Sequence, residues 1–155
     1  AGLKRYAGNP LFIAAALRTW GLDYDKKHPH FSLDFGDGKT VDNGFFSIIM
    51  NTNPYTYLGN RPFDLVPSTG LSTGLSVITF TSLKTTHMLR TLASALQGGG
   101  VKNFPWLDIR TNVSHVVASD SRAFPYQLDG DYLGEIQKVE FEFVPDAVRL
   151  VRSHP

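Results

Sequence analysis

The sequence feature that most constrains the fold is the alternation of apolar and acidic side chains near the C-terminus. Val139, Phe141 and Phe143 alternate with Glu140 and Glu142. Because successive side chains of a strand point to opposite faces, this period of two predicts an antiparallel strand with one face buried and the other in water. Such a strand is typical of a layered, mainly β domain.

Further segments predict more strands. Residues 31–35 alternate in the same way, and a Gly-Asp-Gly-Lys turn follows them. The dense apolar run at residues 45–50 then predicts a hairpin whose second strand is buried on both faces. Other apolar runs predict strands at residues 75–81, between residues 101 and 128, and at residues 148–151.

Two segments have the apolar spacing of a helix. The first is residues 9–20, in which Asn9 is the expected cap. The second is residues 85–97, in which Thr85 or Thr86 is the expected cap. With about seven to nine strands and two helices, the pattern predicts an antiparallel β-sandwich or an open barrel with interspersed helices. The length of 155 residues fits one domain spanning the whole chain.

The composition excludes several classes of function. A formal net charge of +1 argues against attachment to nucleic acid or membrane by bulk electrostatics. The absence of cysteine excludes disulfides, zinc-thiolate sites and a cysteine nucleophile, and it fits a reducing compartment. No apolar run approaches the ~20 residues that span a bilayer. The N-terminus has no apolar region typical of a signal peptide.

The segment at residues 124–135 holds an acidic turn. Asp129 and Asp131 flank Gly130, and Glu135 follows four residues later. Asp-Gly favours a tight hairpin turn, because glycine adopts positive φ without steric cost. The same turn makes an acidic cluster that can accept a proton or attract a cation. An ordinary surface turn is the alternative interpretation.

A second candidate is the loop at residues 67–74, rich in Gly, Ser and Thr. It can point several carbonyls inward and bind a hard cation through oxygen, or it can be a flexible connection between strands. His28 and His30 have a spacing that could share a metal, but loop histidines are the favoured interpretation. The sequence contains no G-x-S-x-G, no G-x-x-x-x-G-K-[ST] and no G-x-G-x-x-G motif.

The chain also carries many aromatic side chains near loops and strands. They could line a cavity of the size of a lipid between two sheets, although such side chains more often form an ordinary core. The set comprises Phe45, Phe46, Tyr55, Tyr57, Phe63, Phe104 and Trp106.

Four segments in order resemble the C-terminal domain of the diacylglycerol kinase catalytic family, the bacterial lipid kinases related to sphingosine kinases. The first is a strand with an Asn and a Tyr/Gly-rich loop, the second the family's P…DDGLLDV segment, the third its D-G-E motif, and the fourth its closing P-x-A-L-x-V strand. In this chain they fall at residues 46–59, 65–77, 127–131 and 144–151. The resemblance covers nearly the whole chain.

The resemblance implies a two-domain enzyme that transfers the γ-phosphoryl group of ATP to a lipid hydroxyl with Mg²⁺, converting diacylglycerol to phosphatidic acid. The family's N-terminal α/β domain carries a G-G-D-G-T nucleotide loop, which this sequence lacks. The resemblance therefore implies a C-terminal, lipid-binding β-sandwich that is inactive alone. It further implies a cytoplasmic protein in peripheral contact with the membrane, a homodimer as one expected assembly, and no nucleic-acid partner.

Carried over onto this chain, the resemblance makes Asp131 the proton acceptor, in a turn supported by Asp129 and Gly130. Asp replaces the Glu of the family's motif, which shortens the reach of the carboxylate by one methylene. The metal loop falls on Gly70, Thr73 and Leu75, whose backbone carbonyls would bind Mg²⁺. Uncharged residues stand here where the family has acidic ones, so weaker metal binding is expected.

Two other classes of function fit the residues. A non-catalytic β-sandwich could bind an apolar ligand or a protein partner, with a purely structural Asp-Gly turn. The architecture related to NAD kinases shares the same two-domain plan and is the weaker alternative.

Overall fold

The computed structural model describes residues 28–58, 60–129 and 131–147. The helix predicted at residues 9–20 and the strand predicted at residues 148–151 lie outside this part of the chain. Within it the chain forms nine strands and one helix. In chain order these are β1 Phe31–Asp34, β2 Thr40–Gly44, β3 Phe46–Met50, β4 Thr56–Leu58, β5 Arg61–Phe63, β6 Leu75–Phe80, α1 Thr85–Leu96, β7 Leu107–Val113, β8 His115–Leu128 and β9 Asp131–Glu142.

The first sheet has the strand order β2-β1-β8-β9, and every neighbouring pair in it is antiparallel. β1 and β2 form a hairpin through the predicted Gly-Asp-Gly-Lys turn. Gly36 and Gly38 take φ values of 72° and 77° in its turn, a region that glycine enters without steric cost. The Asp34 carboxylate accepts the Gly36 N–H at 2.8 Å, which closes the turn locally.

The second sheet has the order β3-β6-β7 and is also antiparallel. The prediction that the run at residues 45–50 is the second strand of the hairpin, buried on both faces, is wrong. β3 leaves the first sheet and pairs with β6, and four of its five residues are only half-buried. The strand that is buried on both faces is β6.

Two apolar cores explain why β6 is buried throughout. Leu75 and Val77 point toward the first sheet and pack with Leu33 and Val116. On the opposite face Ile78 and Phe80 belong to a second core, which also includes Ala95 of α1. The second sheet therefore lies between the first sheet and the helix. The prediction of a mainly β, antiparallel, sandwich-like fold is confirmed.

The helix α1 begins at Thr85, as predicted from its apolar spacing, but its cap differs. Lys84 is the N-cap, and no side chain bonds to the free N–H groups of the first turn. Thr85 and Thr86 lie inside the helix instead of capping it. In the parts of the chain that the structure describes, no helix is long and apolar enough to cross a membrane.

The hairpin of β8 and β9 is the longest feature of the fold and contains a large irregularity. Ser119 faces Lys138, whereas the next facing pair is Phe124 with Ile136. β8 therefore uses more residues than β9 between these two pairs, which forms a bulge and bends the hairpin. Phe124 is buried against Phe31, with ring centres 5.5 Å apart, so the region beyond the bulge still contacts the core.

Candidate functional site

The acidic turn lies at the tip of the β8–β9 hairpin. Leu128 faces Asp131 as the last pair of the ladder, and only Asp129 and Gly130 separate them in sequence. Asp129 takes φ 51°, a left-handed conformation that aspartate tolerates better than most residues. The predicted hairpin turn is therefore confirmed, and the turn keeps its two carboxylates at an end of the sheet.

The carboxylates at this tip are exposed. No hydrogen bond or ion pair joins the side chain of Asp129 or Asp131 to another residue of the described ranges. Large apolar side chains next to them in the hairpin are exposed as well, with Leu128 57%, Tyr132 66% and Leu133 51% exposed. A ligand with a hydroxyl group and an apolar body would find both an acceptor and an apolar surface here.

The loop at residues 67–74 is anchored by Asn53. The Asn53 side-chain oxygen accepts the N–H groups of Leu65 and Val66 at 3.1 and 3.3 Å. Its amide nitrogen donates to the Asp64 carboxylate at 3.1 Å. The side-chain amide of Asn53 thus holds residues 64–66, the segment that enters the loop. This role was not predicted, because Asn53 and its partners are separated in sequence by the β4–β5 hairpin.

Within the loop, Gly70 and Thr73 form a closed turn. The Gly70 carbonyl accepts the Thr73 N–H at 3.0 Å, and the Thr73 hydroxyl lies 3.0 Å from the same oxygen. The Gly70 N–H donates to that hydroxyl at 2.8 Å. The Gly70 oxygen therefore already has hydrogen-bond partners. Leu75, the third predicted metal residue, starts β6 and faces Val113 of β7.

A polar cleft of about 340 Å³ opens beside this loop. Its lining is neutral and consists of Ser68, Ser72, Thr73, Ser76, Thr111 and Asn112. Magnesium prefers carboxylate and water ligands in octahedral geometry. In the described ranges, no three His, Asp or Glu side chains are grouped to hold a metal ion. Hydroxyls and an already bonded carbonyl do not fit Mg²⁺ as they stand, and the magnesium site stays a prediction.

A second cleft, of about 410 Å³, shares Thr111 and Asn112 with the first and extends to the β1–β2 turn. Arg110 lines it, with its guanidinium 3.9 Å from the centre of the Phe35 ring and 2.8 Å from Asp108. The turn contributes Lys39 and Asp37 in an ion pair. Because each cation has a carboxylate beside it, this cleft has little net charge.

The structure brings the predicted site residues together in two separate groups. Asp129 and Asp131 share the hairpin tip, whereas Gly70, Thr73 and Leu75 share the loop before β6. Leu75 faces Val113, close to the start of β8, and the tip is at the other end of that strand. At about 3.3 Å per residue the strand path between these ends is roughly 40 Å. In the described chain no contact links the groups.

An ion pair connects β8 and β9 at the end away from the tip. The Nε2 atom of His115 lies within hydrogen-bond distance of the Glu140 carboxylate. The hydrogen bond from His115, together with its charge, lowers the pKa of Glu140 below its ordinary value, and Lys138 adds a smaller attraction. In the β1–β2 turn the hydrogen bond from the Lys39 N–H lowers the pKa of Asp37 against an opposing effect of burial, and the Lys39 ammonium adds a further lowering attraction.

The aromatic residues form local stacks. The Trp106 ring is parallel to those of His87 and Phe104, with centres 4.0 and 4.6 Å apart. Rings this close cannot fit side by side on one face of the indole, so they cover both of its faces. The Trp106 N–H donates to Thr91 of α1 at 3.1 Å. Neither cleft described above is lined by these aromatic residues, and the apolar cavity stays a prediction.

Comparison of the chain with protein-family models, with curated proteins and with solved structures finds no match. The function of the chain is therefore inferred from its geometry and from the resemblance of its sequence motifs.

Proposed function

We propose that this chain is the C-terminal, lipid-binding domain of an ATP-dependent lipid kinase whose acceptor is a lipid hydroxyl, with diacylglycerol as the leading substrate. The observation that carries the proposal is the exposed pair Asp129 and Asp131 at the tip of the hairpin. Exposed apolar side chains neighbour these carboxylates in the hairpin, and no described residue bonds to them. The order of the four segments that resemble the lipid kinases supports the same function.

The chemistry assigned to this tip is proton acceptance. As the lipid oxygen attacks the γ-phosphorus of ATP, the bond to the β–γ bridging oxygen breaks and ADP leaves. The hydroxyl proton passes to the Asp131 carboxylate, which orients the hydroxyl before transfer. Leu128, Tyr132 and Leu133 would contact the apolar body of the lipid. ATP with Mg²⁺ supplies the phosphoryl group, and no residue of this chain is assigned to the ion.

The proposal includes a partner domain and a location. A nucleotide-binding α/β domain with a G-G-D-G-T loop would face the hairpin tip, because this sequence has no nucleotide loop of its own. The lipid substrate would be met at the cytoplasmic surface of a membrane. A homodimer remains part of the proposal.

The second candidate is a non-catalytic module that binds an apolar ligand or a protein. The exposed apolar side chains of the tip favour it, because they would make the same contact without any chemistry at Asp131. The two candidate functions differ in the expected effect of replacing the Asp131 carboxylate. Only the kinase requires this carboxylate for phosphoryl transfer.

The test is phosphoryl transfer by the product of the complete open reading frame that contains this chain, assayed on vesicles with diacylglycerol. Asp131→Asn should lower the rate of transfer about 10²- to 10⁴-fold, the usual contribution of a general base. The matched control is Asp42→Asn, an exposed aspartate on β2, which should keep the rate of the parent. Circular dichroism should show an unchanged fold for both variants.

Equal rates for Asp131→Asn and the parent enzyme would contradict the assignment of the base. Absence of transfer to any lipid by the complete product would contradict the kinase proposal and leave the binding module. The chain alone should not transfer phosphate, because it has no nucleotide loop.

A further inference from the structure

We propose that the cleft of about 340 Å³ beside the loop at residues 67–74 binds a small uncharged polyol, a molecule with hydroxyl groups on neighbouring carbon atoms. Thr111 and Asn112 line this cleft shortly before β8 begins, whereas the acidic tip follows the end of that strand. The binding site therefore goes beyond the proposed kinase and does not depend on it.

The cleft contains a buried hydroxyl group that donates no hydrogen bond. The Thr69 hydroxyl donates to the Ser76 hydroxyl at 2.7 Å, and the two residues are 7% and 1% exposed. The Ser76 hydroxyl has a proton of its own to donate, but it makes no hydrogen bond as a donor within the part of the chain that the structure describes. Buried donors in native proteins nearly always have a partner. Because Ser76 lines the cleft, we expect a molecule in the cleft to accept this proton.

A second pair of hydroxyl groups on β6 shows the usual arrangement. The Ser47 and Thr79 hydroxyls lie 3.1 Å apart, and the Ser47 hydroxyl also donates to the Ile78 carbonyl at 3.2 Å. Thr79 can then donate to Ser47, so both protons of this pair have acceptors inside the protein. Of these two pairs, only the one beside the cleft has a proton without an acceptor.

A bulge in β7 forms the wall of the cleft beside Ser76. The register between β6 and β7 shifts here, so Ser76 alone lies opposite two residues, Thr111 and Asn112. A bulge of this kind redirects side chains and is frequent next to active sites. Asn112 takes φ 56°, a left-handed conformation that asparagine tolerates. Gly74 permits the close packing of loop and strand, because a Cβ there would come within 2.9 Å of the Asn112 carbonyl carbon.

Four exposed side chains around the cleft are available to a ligand. None of them makes a side-chain hydrogen bond to another described residue. They are Ser68, Ser72, Thr111 and Asn112. The Thr73 hydroxyl, by contrast, already bonds to Gly70 and to the Ser68 carbonyl.

The chemistry of the lining selects the class of ligand. Among the described residues, no Lys, Arg, Asp or Glu lines this cleft, so a charged ligand would lose water without gaining a counter-charge. No described aromatic side chain lines it either, so a nucleobase has no ring on which to stack. Hydroxyls and an amide both donate and accept, and the hydroxyl groups of a polyol do the same. A water molecule fills roughly 30 Å³, so the cleft has room for a larger molecule.

The experiment is a titration of the full chain with myo-inositol, followed by ¹H–¹⁵N NMR. We expect saturable shifts of the amide signals of Ser72, Ser76, Thr111 and Asn112. Sodium phosphate and magnesium chloride, tested as charged probes at the same concentrations, should not shift these signals.

Two variants test the residues of the cleft. Ser76→Ala removes the hydroxyl whose proton has no acceptor and should weaken inositol binding about tenfold, the effect of one hydrogen bond. Asn112→Gly removes the side-chain amide but keeps the left-handed backbone, which glycine adopts without steric cost, and it should also weaken binding about tenfold. The matched control is Ser47→Ala, which removes a hydroxyl from the fully bonded pair and should leave the affinity unchanged. Circular dichroism checks the fold of each variant.

Absence of saturable shifts with myo-inositol, glycerol and sorbitol would overturn the proposal, because water alone would then accept the Ser76 proton. Shifts with phosphate but not with inositol would assign the cleft to an anion and overturn it as well. Unchanged affinity in both Ser76→Ala and Asn112→Gly, or an equal loss in Ser47→Ala, would show that the polyol does not bind in this cleft. The assay contains no ATP and no lipid, so its outcome is distinguishable from failure of the kinase proposal.

Discussion

Glu140 shows at the scale of one residue how the register of a hairpin creates an ion pair. Glu140 faces Val117 on the neighbouring strand, and His115 lies two residues away on the same face. This diagonal neighbour is within reach of a long side chain. The alternation in the sequence predicts that Glu140 points to water, but its partner depends on a register that no local pattern encodes.

The pH dependence of this pair is the first prediction. The hydrogen bond and charge of His115 lower the pKa of Glu140, so the fold favours the ionised carboxylate. The resulting stability is present above the ordinary pKa range of glutamate and is lost as pH falls through the lowered pKa of the folded state. A ¹³C NMR titration of the Glu140 carboxyl group should show a midpoint below the ordinary value for a glutamate side chain.

Replacing the partner supplies the control for this prediction. His115→Gln should raise the pKa of Glu140 back toward its ordinary value, because the cationic partner is lost. An unchanged midpoint in that variant would show that His115 does not cause the shift.

Asp129 and Asp131 show, at the scale of one residue, that the sequence predicts a turn but not its function. Their turn is predictable, since Asp-Gly between two strand patterns favours a hairpin. Their function is not, because an exposed aspartate has the same sequence signal in a structural turn and in a catalytic one. The distance from the tip to the loop before β6 also depends on strand pairing and was not predicted.

At the scale of elements, the local sequence predicts the bounds of helices and strands better than it predicts their caps and burial. The bounds of α1 and β6 follow from apolar spacing, and both are close to the prediction. The helix cap was wrong because Thr85 and Thr86 are equally good caps in sequence, while the chain enters the helix one residue earlier at Lys84. The burial of β3 was wrong because an apolar run does not reveal which sheet it joins.

The Asn53 anchor gives a prediction at this scale. Asn53→Ala removes three hydrogen bonds and leaves the N–H groups of Leu65 and Val66 without their acceptor. The free energy of unfolding should fall by about 1–3 kcal/mol, the usual effect of unsatisfied, partly buried donors. Urea denaturation measures this, and amide hydrogen exchange should become faster at Leu65 and Val66.

Asn51→Ala is the matched control, because Asn51 is an exposed asparagine of the same loop. It should change the free energy of unfolding by less than about 0.5 kcal/mol. Equal losses for both variants would indicate a general effect of loop composition and contradict the anchoring role of Asn53.

At the scale of the whole molecule, β6 joins the two cores. Val77 is fully buried on the side of the first sheet, and Ile78 is almost fully buried on the side of the helix. The mainly β class is predictable, because the alternating pattern recurs along the chain. The three-layer arrangement is not, because a single buried strand has the same composition whether a sheet or a helix covers it.

This arrangement predicts that the two cores unfold together. Val77→Ala, a change confined to the first core, should lower the free energy of unfolding by about 2–3 kcal/mol. It should also shift the transition seen by Trp106, which lies on the helix side, in a Trp20→Phe background. Far-ultraviolet circular dichroism and tryptophan fluorescence should give the same midpoint in urea.

Val144→Ala, at an exposed position, should leave that midpoint unchanged within about 0.5 kcal/mol of stability. If Val77→Ala shifts only the circular dichroism, the two cores unfold independently and the central role of β6 is contradicted.

The bulge between Ser119 and Phe124 has a consequence for how this fold can diversify. Its extra residues lie on one strand only, and the facing pairs on both sides of it keep the ladder intact. Insertion or deletion there would change the direction of the acidic tip, and of the buried core residues that the structure describes only Phe124 lies on the tip side of the bulge. Homologues with a shorter or longer segment at this position should share the packed layers and differ in the direction of the tip. The orientation of the tip relative to a partner domain can then evolve separately from the stability of the fold.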